Sequence, residues 1–538
     1  VGLFLFGALI AVVLLRLLML AVLEDRSGRG NGDAFAGLLP PRADIVDRNG
    51  VVLARTIDGW TIAVHPNRLL NDPDELAPRL AALLPERSAG QYRAILASGR
   101  RFVYLRHQAL PELVSQVNAL GEPAIEFLRE PERLYPQVNL APHALGWVNR
   151  SGRGSSGLEF ALDARLSDPA RRGEPVALSI DSRVQGALQT ELADAMRRQS
   201  AMGAVGIVLD VHTGELIALA SLPNFDPNAP TRTSEAARRD RARVDVYELG
   251  STFKPITVAG AIEEGVVASL DRRYNAEAPL QVGGFTIRDD HAQRRYLNVP
   301  ELLVHSSNIA TARIADEMGP ERMQRLFRRL HFDEPVAFEM AGNSAPLWPD
   351  YWARTTVMTT GFGHGIAVTP LHLASAYATL VNGGLYRPMT ILKRASGDIP
   401  PGERVFSRRT SDHMRALLRL IVLEGTGRNA DAEGFRVGGK TGTAEIPGAG
   451  GYRENDLVST FASAFPMDDP QYVVVVMMDR PRGDAATGGG RTAGWTAAPV
   501  VRSVVARIGP LLGVMPSEDR DVDTEYLREM LWHPRSER

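Results

Sequence analysis

One apolar run, Val1 to Leu23, broken only by Arg16, sets the first constraint on this chain. About 20 apolar residues form a helix long enough to cross the hydrocarbon of a bilayer. A cleaved signal peptide is the competing reading, and Ala34-Phe35-Ala36 supplies an A-x-A-like triplet for it. The run is longer than an h-region of roughly 7–15 residues. The triplet also lies past the charged Glu24, Asp25 and Arg26. We therefore expect residues 1–23 to form an uncleaved transmembrane anchor. Ser27 to Leu38, rich in Gly, Ser and charge, reads as a flexible tether behind it.

The chain has 538 residues, too many for one ordinary core, so several domains are expected. A net charge of −2 gives no case for nucleic acid as a general partner. The absence of cysteine excludes thiol nucleophiles and thiolate metal sites. Lysine is more telling. It occurs only at Lys254, Lys393 and Lys440, and the rest of the 61 basic residues are arginine. Arginine supplies charge and hydrogen bonds but does not deprotonate in a protein. Each lysine is therefore a candidate for amine chemistry, although chance survival suffices for Lys393.

Asn49-Gly50 between apolar alternating runs predicts a hairpin. Pro66 to Leu128 alternates amphipathic helical stretches, such as Glu75 to Leu84, with short connections. Tyr135 to Val148, then Gly154 to Leu158, reads as strand and glycine-rich loop. Farther on, Val184 to Arg198 predicts a helix, Ala204 to Asp210 a buried strand and Leu216 to Ser221 its returning partner. Helices dominate from Lys254 to Ala378. Val437 to Ala444, Phe461 to Phe465 and Gln471 to Met478 form a last strand set, and Pro499 to Leu512 a closing helix. Strands at both ends with helices between predict an α+β domain whose sheet joins its two ends. The charged tail from Pro516 reads as peripheral.

Three constellations carry chemistry. The first is Ser251-Thr252-Phe253-Lys254-Pro255. Proline is tolerated in the first turn of a helix but costs about 3 kcal/mol in its interior, so a helix should start near Ser251. Residues three apart on a helix are neighbours, which can set the Lys254 amine beside the Ser251 hydroxyl. A neutral amine there could take the serine proton. Alone, the pattern also fits a serine N-cap with a surface lysine. The second is Ser306-Ser307-Asn308, which alone reads as helix capping. The third is Gly438-Gly439-Lys440-Thr441-Gly442-Thr443. On a strand, Thr441 and Thr443 share a face, and Gly442 lets another backbone lie against it. A strand edge with a cation and hydroxyls suits an extended peptide ending in carboxylate. A phosphate loop would need the G-x-x-x-x-G-K-[ST] spacing, which is missing.

Together and in this order, the three form the set Ser-x-x-Lys, Ser-x-Asn and Lys-Thr-Gly of penicillin-binding proteins and class A β-lactamases. No segment supplies the deacylating glutamate of the latter. The chain resembles the class B penicillin-binding proteins, and among them the division-specific (septal) transpeptidases of FtsI type. Asp47-Arg48-Asn49-Gly50, Arg133-Leu134-Tyr135-Pro136, Gly157-Leu158-Glu159, Asp210 with Thr213-Gly214-Glu215, Gly361-Phe362-Gly363-His364-Gly365 and Thr369-Pro370 carry the likeness. Gly450-Gly451-Tyr452 and Phe465-Pro466 look division-type rather than elongation-type. Leu249, Ala43 and His305 depart from the family pattern without removing a catalytic atom.

The resemblance implies an anchor (1–23), an elongated α/β pedestal (24–176), a transpeptidase domain with an antiparallel sheet flanked by helices (177–513) and a charged tail (514–538). It implies a single-pass protein of the inner membrane with its bulk in the periplasm. The implied activity is cross-linking of peptidoglycan stem peptides at the septum, inhibited by β-lactams. Ser251 would be the nucleophile and Lys254 its base. Ser306 and Asn308 would serve proton relay and peptide orientation. Lys440, Thr441 and Thr443 would bind the terminal carboxylate, with Gly442 between them. No cofactor or metal is implied. A SEDS-family glycosyltransferase of the FtsW type and other division proteins are the implied partners. Elongation-type transpeptidase and D,D-carboxypeptidase are the alternatives.

Overall fold

The computed structural model describes residues 41–532 except 396, 449, 450 and 486. The expected anchor with Arg16, the tether and the last residues of the tail lie outside the described residues. Among the described residues no helix is long and apolar enough to cross a membrane.

The chain packs as two units. The smaller holds residues 55–134 and 164–175, the larger residues 45–54, 135–163 and 176–532. In the smaller unit, residues 55–64 of the strand Val52–Val64 pair with Ile125–Leu134, and from Trp60 onward also with Val103–Ala109. Helices Pro73–Leu83, Ala89–Leu96 and Pro111–Asn118 cover it through Leu76, Leu80, Tyr92, Leu96 and Val117. The sequence patterning predicted the helices but missed the two partner strands. Polar residues on both faces, as in the neighbours Arg129 and Glu130, obscure the alternation.

The predicted turn at Asn49-Gly50 forms in the larger unit. Ile45 pairs with Ala54, Asp47 N–H donates to Val51 O at 2.8 Å, and Gly50 adopts φ +86°. Tyr135 to Leu158 departs from expectation. It forms short helical turns, Pro142–Leu145 and Gly157–Ala161, and a single bridge between Val148 and Gly154.

A five-stranded antiparallel sheet centres the larger unit. Helix α1 (Ser182–Arg198) precedes strands β1 (Gly203–Asp210) and β2 (Leu216–Leu222). The last strands follow more than 200 residues later: β3 (Gly438–Gly448), β4 (Gly451–Phe465) and β5 (Tyr472–Asp479). The order is β3-β4-β5-β1-β2, so β5 pairs with β1 (Val475 opposite Ile207) and joins the two ends as predicted. Successive strand residues face opposite sides of a sheet. Nearly all of β1 and β5 is buried, so both faces of the sheet are covered. That is why these strands read as continuous apolar runs.

Between the strand sets run α2 (Lys254–Glu263), α3 (Val299–Val304), α4 (Asn308–Arg329), α5 (Pro370–Val381) and α6 (Arg408–Glu424). The closing helix α7 (Ala497–Leu511) packs with α1 on one face of the sheet, through Leu188, Leu192, Val501, Val504 and Ile508. Helix α5 covers the other face. Gly319, at φ +73°, breaks α4 after Met318.

The described part of the tail is docked rather than peripheral. Leu527 is fully buried. Arg419 is held between Asp431 and Asp521, 2.7 Å from each. Isolated charge density misled the sequence reading, because the carboxylates of the tail answer buried arginine elsewhere.

Candidate active site

The first motif forms a 3-10 turn, Gly250–Phe253, that feeds α2, with Pro255 in the first helical turn. This is the helix start that proline demanded. Strand β3 lies against the turn. A side chain at Gly442 would place its Cβ 2.4 Å from Leu249 O and 2.7 Å from Thr252 Cγ2. At Gly250, whose φ is +55°, an added Cβ would stand 2.8 Å from Thr443 O. Two glycines thus bring the Ser251 turn and the third motif into backbone contact.

Lys254 is fully buried in the first turn of α2. Its Nζ donates to the Ser306 carbonyl and, at 3.1 Å, to Ser306 Oγ. Lys440, on β3, is also fully buried. Its Nζ stands 3.0 Å from the same Ser306 Oγ, 3.1 Å from Thr441 O and 3.2 Å from Thr441 Oγ1. Thr426 and Thr441 share a hydroxyl–hydroxyl bond of 2.7 Å. Ala493 N–H donates to Thr443 Oγ1 at 3.1 Å. Ser251 is half-buried, and its hydroxyl makes no hydrogen bond among the described residues. Catalytic hydrogen bonds often tighten only once substrate is bound.

Ser306 joins α3 to α4 and adopts φ +57°, a left-handed conformation uncommon for a residue with a side chain. It turns the chain so that its carbonyl and hydroxyl both meet Lys254. Ser307 caps α4 by accepting from Ala310 N–H. Asn308 Nδ2 donates to Arg288 O at 2.9 Å.

Burial dominates the electrostatics. It holds the Lys254 amine down to about 7, even though the Asp289 and Asp290 carboxylates pull it up. Lys440 is likewise held well below the ordinary lysine range, by burial and then by the charge of Lys254. Two ammonium groups sharing one buried hydroxyl cannot both be favourable. The expectation of a standing Lys440 cation therefore needs a counter-charge from outside the pair. His364 is also held neutral-leaning, chiefly by burial, with Lys254 adding to the effect. Among the described residues no cluster could hold a metal ion.

The structure thus brings together Lys254, Ser306, Lys440 and Thr441 by hydrogen bonds, and Ser251, Gly442 and Thr443 by backbone packing. The sequence reading missed Thr426, Asp289 and Asp290. Thr426, between Gly425 and Gly427 at the end of an amphipathic helix, offered a weak signal. The Asp pair offered none, because a tertiary fold alone brings it to the site.

Residues 204–505 match the penicillin binding protein transpeptidase domain, and residues 38–171 the penicillin-binding protein dimerisation domain. The chain is 39% identical to a probable peptidoglycan D,D-transpeptidase FtsI of Caulobacter vibrioides, over 92% of this chain and 85% of that protein. The chain belongs to the FtsI-type class B penicillin-binding proteins. The Escherichia coli peptidoglycan D,D-transpeptidase FtsI is 30% identical over 77% of this chain and 73% of its own. A crystal structure of a peptidoglycan synthetase from Bifidobacterium adolescentis superposes with a TM-score of 0.68 at 22% identity, covering 90% of this chain and 98% of that one. The last likeness concerns the fold alone. In the family's terms, the site described above lies wholly within the transpeptidase domain.

Proposed function

We infer that this chain is a serine-type peptidoglycan D,D-transpeptidase that cross-links stem peptides through an acyl-enzyme at Ser251. The observation that carries the reading is the Ser306 hydroxyl shared by two buried amines behind the Ser251 turn. Ser251 Oγ attacks the carbonyl carbon of the penultimate D-alanine, and its proton passes to neutral Lys254. The backbone N–H groups of Ser251 and Thr443 take the developing oxyanion. One such donor is worth roughly 10²–10³ in rate. The amide C–N bond then breaks, and Lys254 returns the proton through Ser306 to the departing D-alanine nitrogen. An amine of a neighbouring stem peptide attacks the ester, releases Ser251 Oγ, and gives it back a proton. The substrate's terminal carboxylate at Thr441 and Thr443 supplies the counter-charge that lets Lys440 hold a proton. Asn308 orients the peptide along the β3 edge.

The division of the chain follows from the same reading: anchor 1–23, pedestal 24–176, transpeptidase domain 177–513 and tail 514–538. So does a single-pass inner-membrane position with the bulk in the periplasm. The septal pathway, with a SEDS-family glycosyltransferase as partner, rests on the FtsI relationship.

Three measurements test this. Intact mass after penicillin exposure should rise by one penicilloyl group, mapped to the Ser251 peptide and slowly released. An adduct elsewhere, or rapid turnover, overturns the nucleophile. Incubation with lipid-linked nascent glycan should yield cross-linked dimers. Release of D-alanine without dimers would make the protein a carboxypeptidase. Depletion should produce filaments, whereas swollen cells with normal septa would assign the elongation pathway.

A further inference from the structure

The segment Arg288-Asp289-Asp290 leaves the small hairpin Leu280–Val282 with Phe285–Ile287 and ends against the second motif. There it grips three consecutive residues. Asp289 Oδ2 accepts from Ser307 Oγ at 2.8 Å, and Asp289 Oδ1 accepts from Ile309 N–H at 2.9 Å. Between them, Asn308 Nδ2 donates to Arg288 O. Ser307 Oγ accepts from Ala310 N–H at 3.1 Å, so its single proton goes to Asp289. The result is a carboxylate fixed at the N-terminus of α4, where the helix dipole favours negative charge. The adjoining residue is Ser306, whose left-handed backbone persists only if its surroundings over-determine it.

We infer that Asp289 is a positioning residue for acylation: its carboxylate pins the Ser306–Asn308 turn and provides the fixed negative charge against which Lys254 works. The inference rests on Lys254 being the base. The charged and titratable groups facing Lys254 are Lys440 from β3, His364 from the turn after Thr360, and Asp289 and Asp290 from this segment. The two aspartates alone pull its proton affinity up. A helix cap needs no charge to do its work, since a neutral Asn caps as well as Asp. The position therefore separates the two roles by substitution. Asp289→Asn keeps an acceptor for Ile309 N–H and removes the charge. Asp290 is exposed, and its carboxylate makes no hydrogen bond among the described residues. Asp290→Asn therefore removes charge without touching the cap.

The test is the second-order rate of acylation by a fluorescent penicillin on the full-length protein in detergent, across about pH 5 to 9, with a melting curve for each variant. Removing a neighbouring anion makes the lysine easier to deprotonate. In Asp289→Asn the acid limb should move down by up to about one pH unit, with the Ser306 turn still held by the acceptor that Asn retains. Asp290→Asn should move the limb in the same direction by less. A folded Asp289→Asn variant with the wild-type acid limb would reduce Asp289 to a cap and overturn the inference. If Asp289→Asn does not fold, an unmoved limb in Asp290→Asn overturns the charge role on its own. Absence of any acylation in the wild-type protein would instead defeat the proposed function.

Discussion

Lys254 and Lys440 reach for the same oxygen: Ser306 Oγ is 3.1 Å from one amine and 3.0 Å from the other. Both amines are buried, so their charges compete, yet their tasks differ. Lys254 must be neutral to accept a proton, and a guanidinium cannot become neutral in a protein. Lys254→Arg should lower penicillin acylation by about 10³-fold, within the roughly 10²–10⁴-fold range of a general base. In the proposed mechanism Lys440 supplies charge once carboxylate arrives, so Lys440→Arg should weaken acylation but leave it measurable. The comparison is acylation rate beside melting temperature for each variant. A well-folded Lys254→Arg variant acylating at near-normal rate would remove lysine from the base role.

The pH dependence follows from the same burial. With the Lys254 amine at about 7, the base is mostly protonated below that pH and mostly neutral above it. Acylation should therefore climb about tenfold per pH unit on the acid side and level off above neutrality. Stability has the same sign. Unfolded Lys254 binds its proton up to about pH 10.4, while the folded form releases it near 7. Folding is therefore disfavoured by this group below 7, and the penalty fades as pH rises toward the unfolded value. The melting temperature should rise from pH 7 to 9, and the rise should shrink in Lys254→Met. Acylation that is flat between pH 5.5 and 8 (about the range spanning the transition) would contradict this assignment.

Gly442 provides a purely steric test. Its missing Cβ is what lets Leu249 O approach β3, since the added atom would stand 2.4 Å from that oxygen. Gly442→Ala must displace either the strand or the nucleophile turn, at a cost of about 1–3 kcal/mol for overpacking. Acylation should drop by well over tenfold, because the turn carries Ser251 and the strand carries Lys440. A Gly442→Ala protein with normal acylation and an unchanged melting temperature would show that close packing at this glycine does not set the position of Ser251.

Legibility in the sequence followed the range of the interactions. The Pro255 helix start, the Asn49-Gly50 turn and the apolar runs of β1 and β5 are local or periodic signals, and each forms where it was read. The three motifs are short spacings too, and the fold joins Lys254, Ser306, Lys440 and Thr441 from them by hydrogen bonds. The strands at Val103 and Ile125 are hidden by polar residues on both faces, such as Arg106 with His107 and Arg129 with Glu130. Ser306 was legible as a motif member, but its left-handed backbone was not, because a serine carries no mark of φ +57°. Nor was it visible that Lys254 would bond to Ser306, 52 residues away. Asp289, Thr426 and the docked tail share that property: their roles exist only after distant segments meet.

The docking of the tail can be tested at Glu301. This carboxylate in α3 is fully buried and sits five residues before Ser306. It accepts from Asn298 N–H at 3.0 Å within a capping box, from Arg295 Nη1 at 2.7 Å and from Trp532 N–H at 2.8 Å. Asn298 in turn donates to Met530 O at 2.7 Å, and the Arg295 guanidinium lies 5.1 Å from the Trp532 ring. The end of the described tail is therefore tied to the helix that delivers the second motif. Hydrogen bonds to a charged group contribute about 1.5–3 kcal/mol, and removing a buried partner leaves the others unpaired. Glu301→Ala should destabilise the protein by about 3 kcal/mol. Deleting the tail from Thr524 onward should do less, because Asn298 and Arg295 keep their carboxylate. Both changes should also slow acylation at temperatures where the protein remains folded, since α3 sets the position of Ser306. A tail-deleted protein with unaltered melting temperature and acylation would return the segment to the peripheral role its charge suggested.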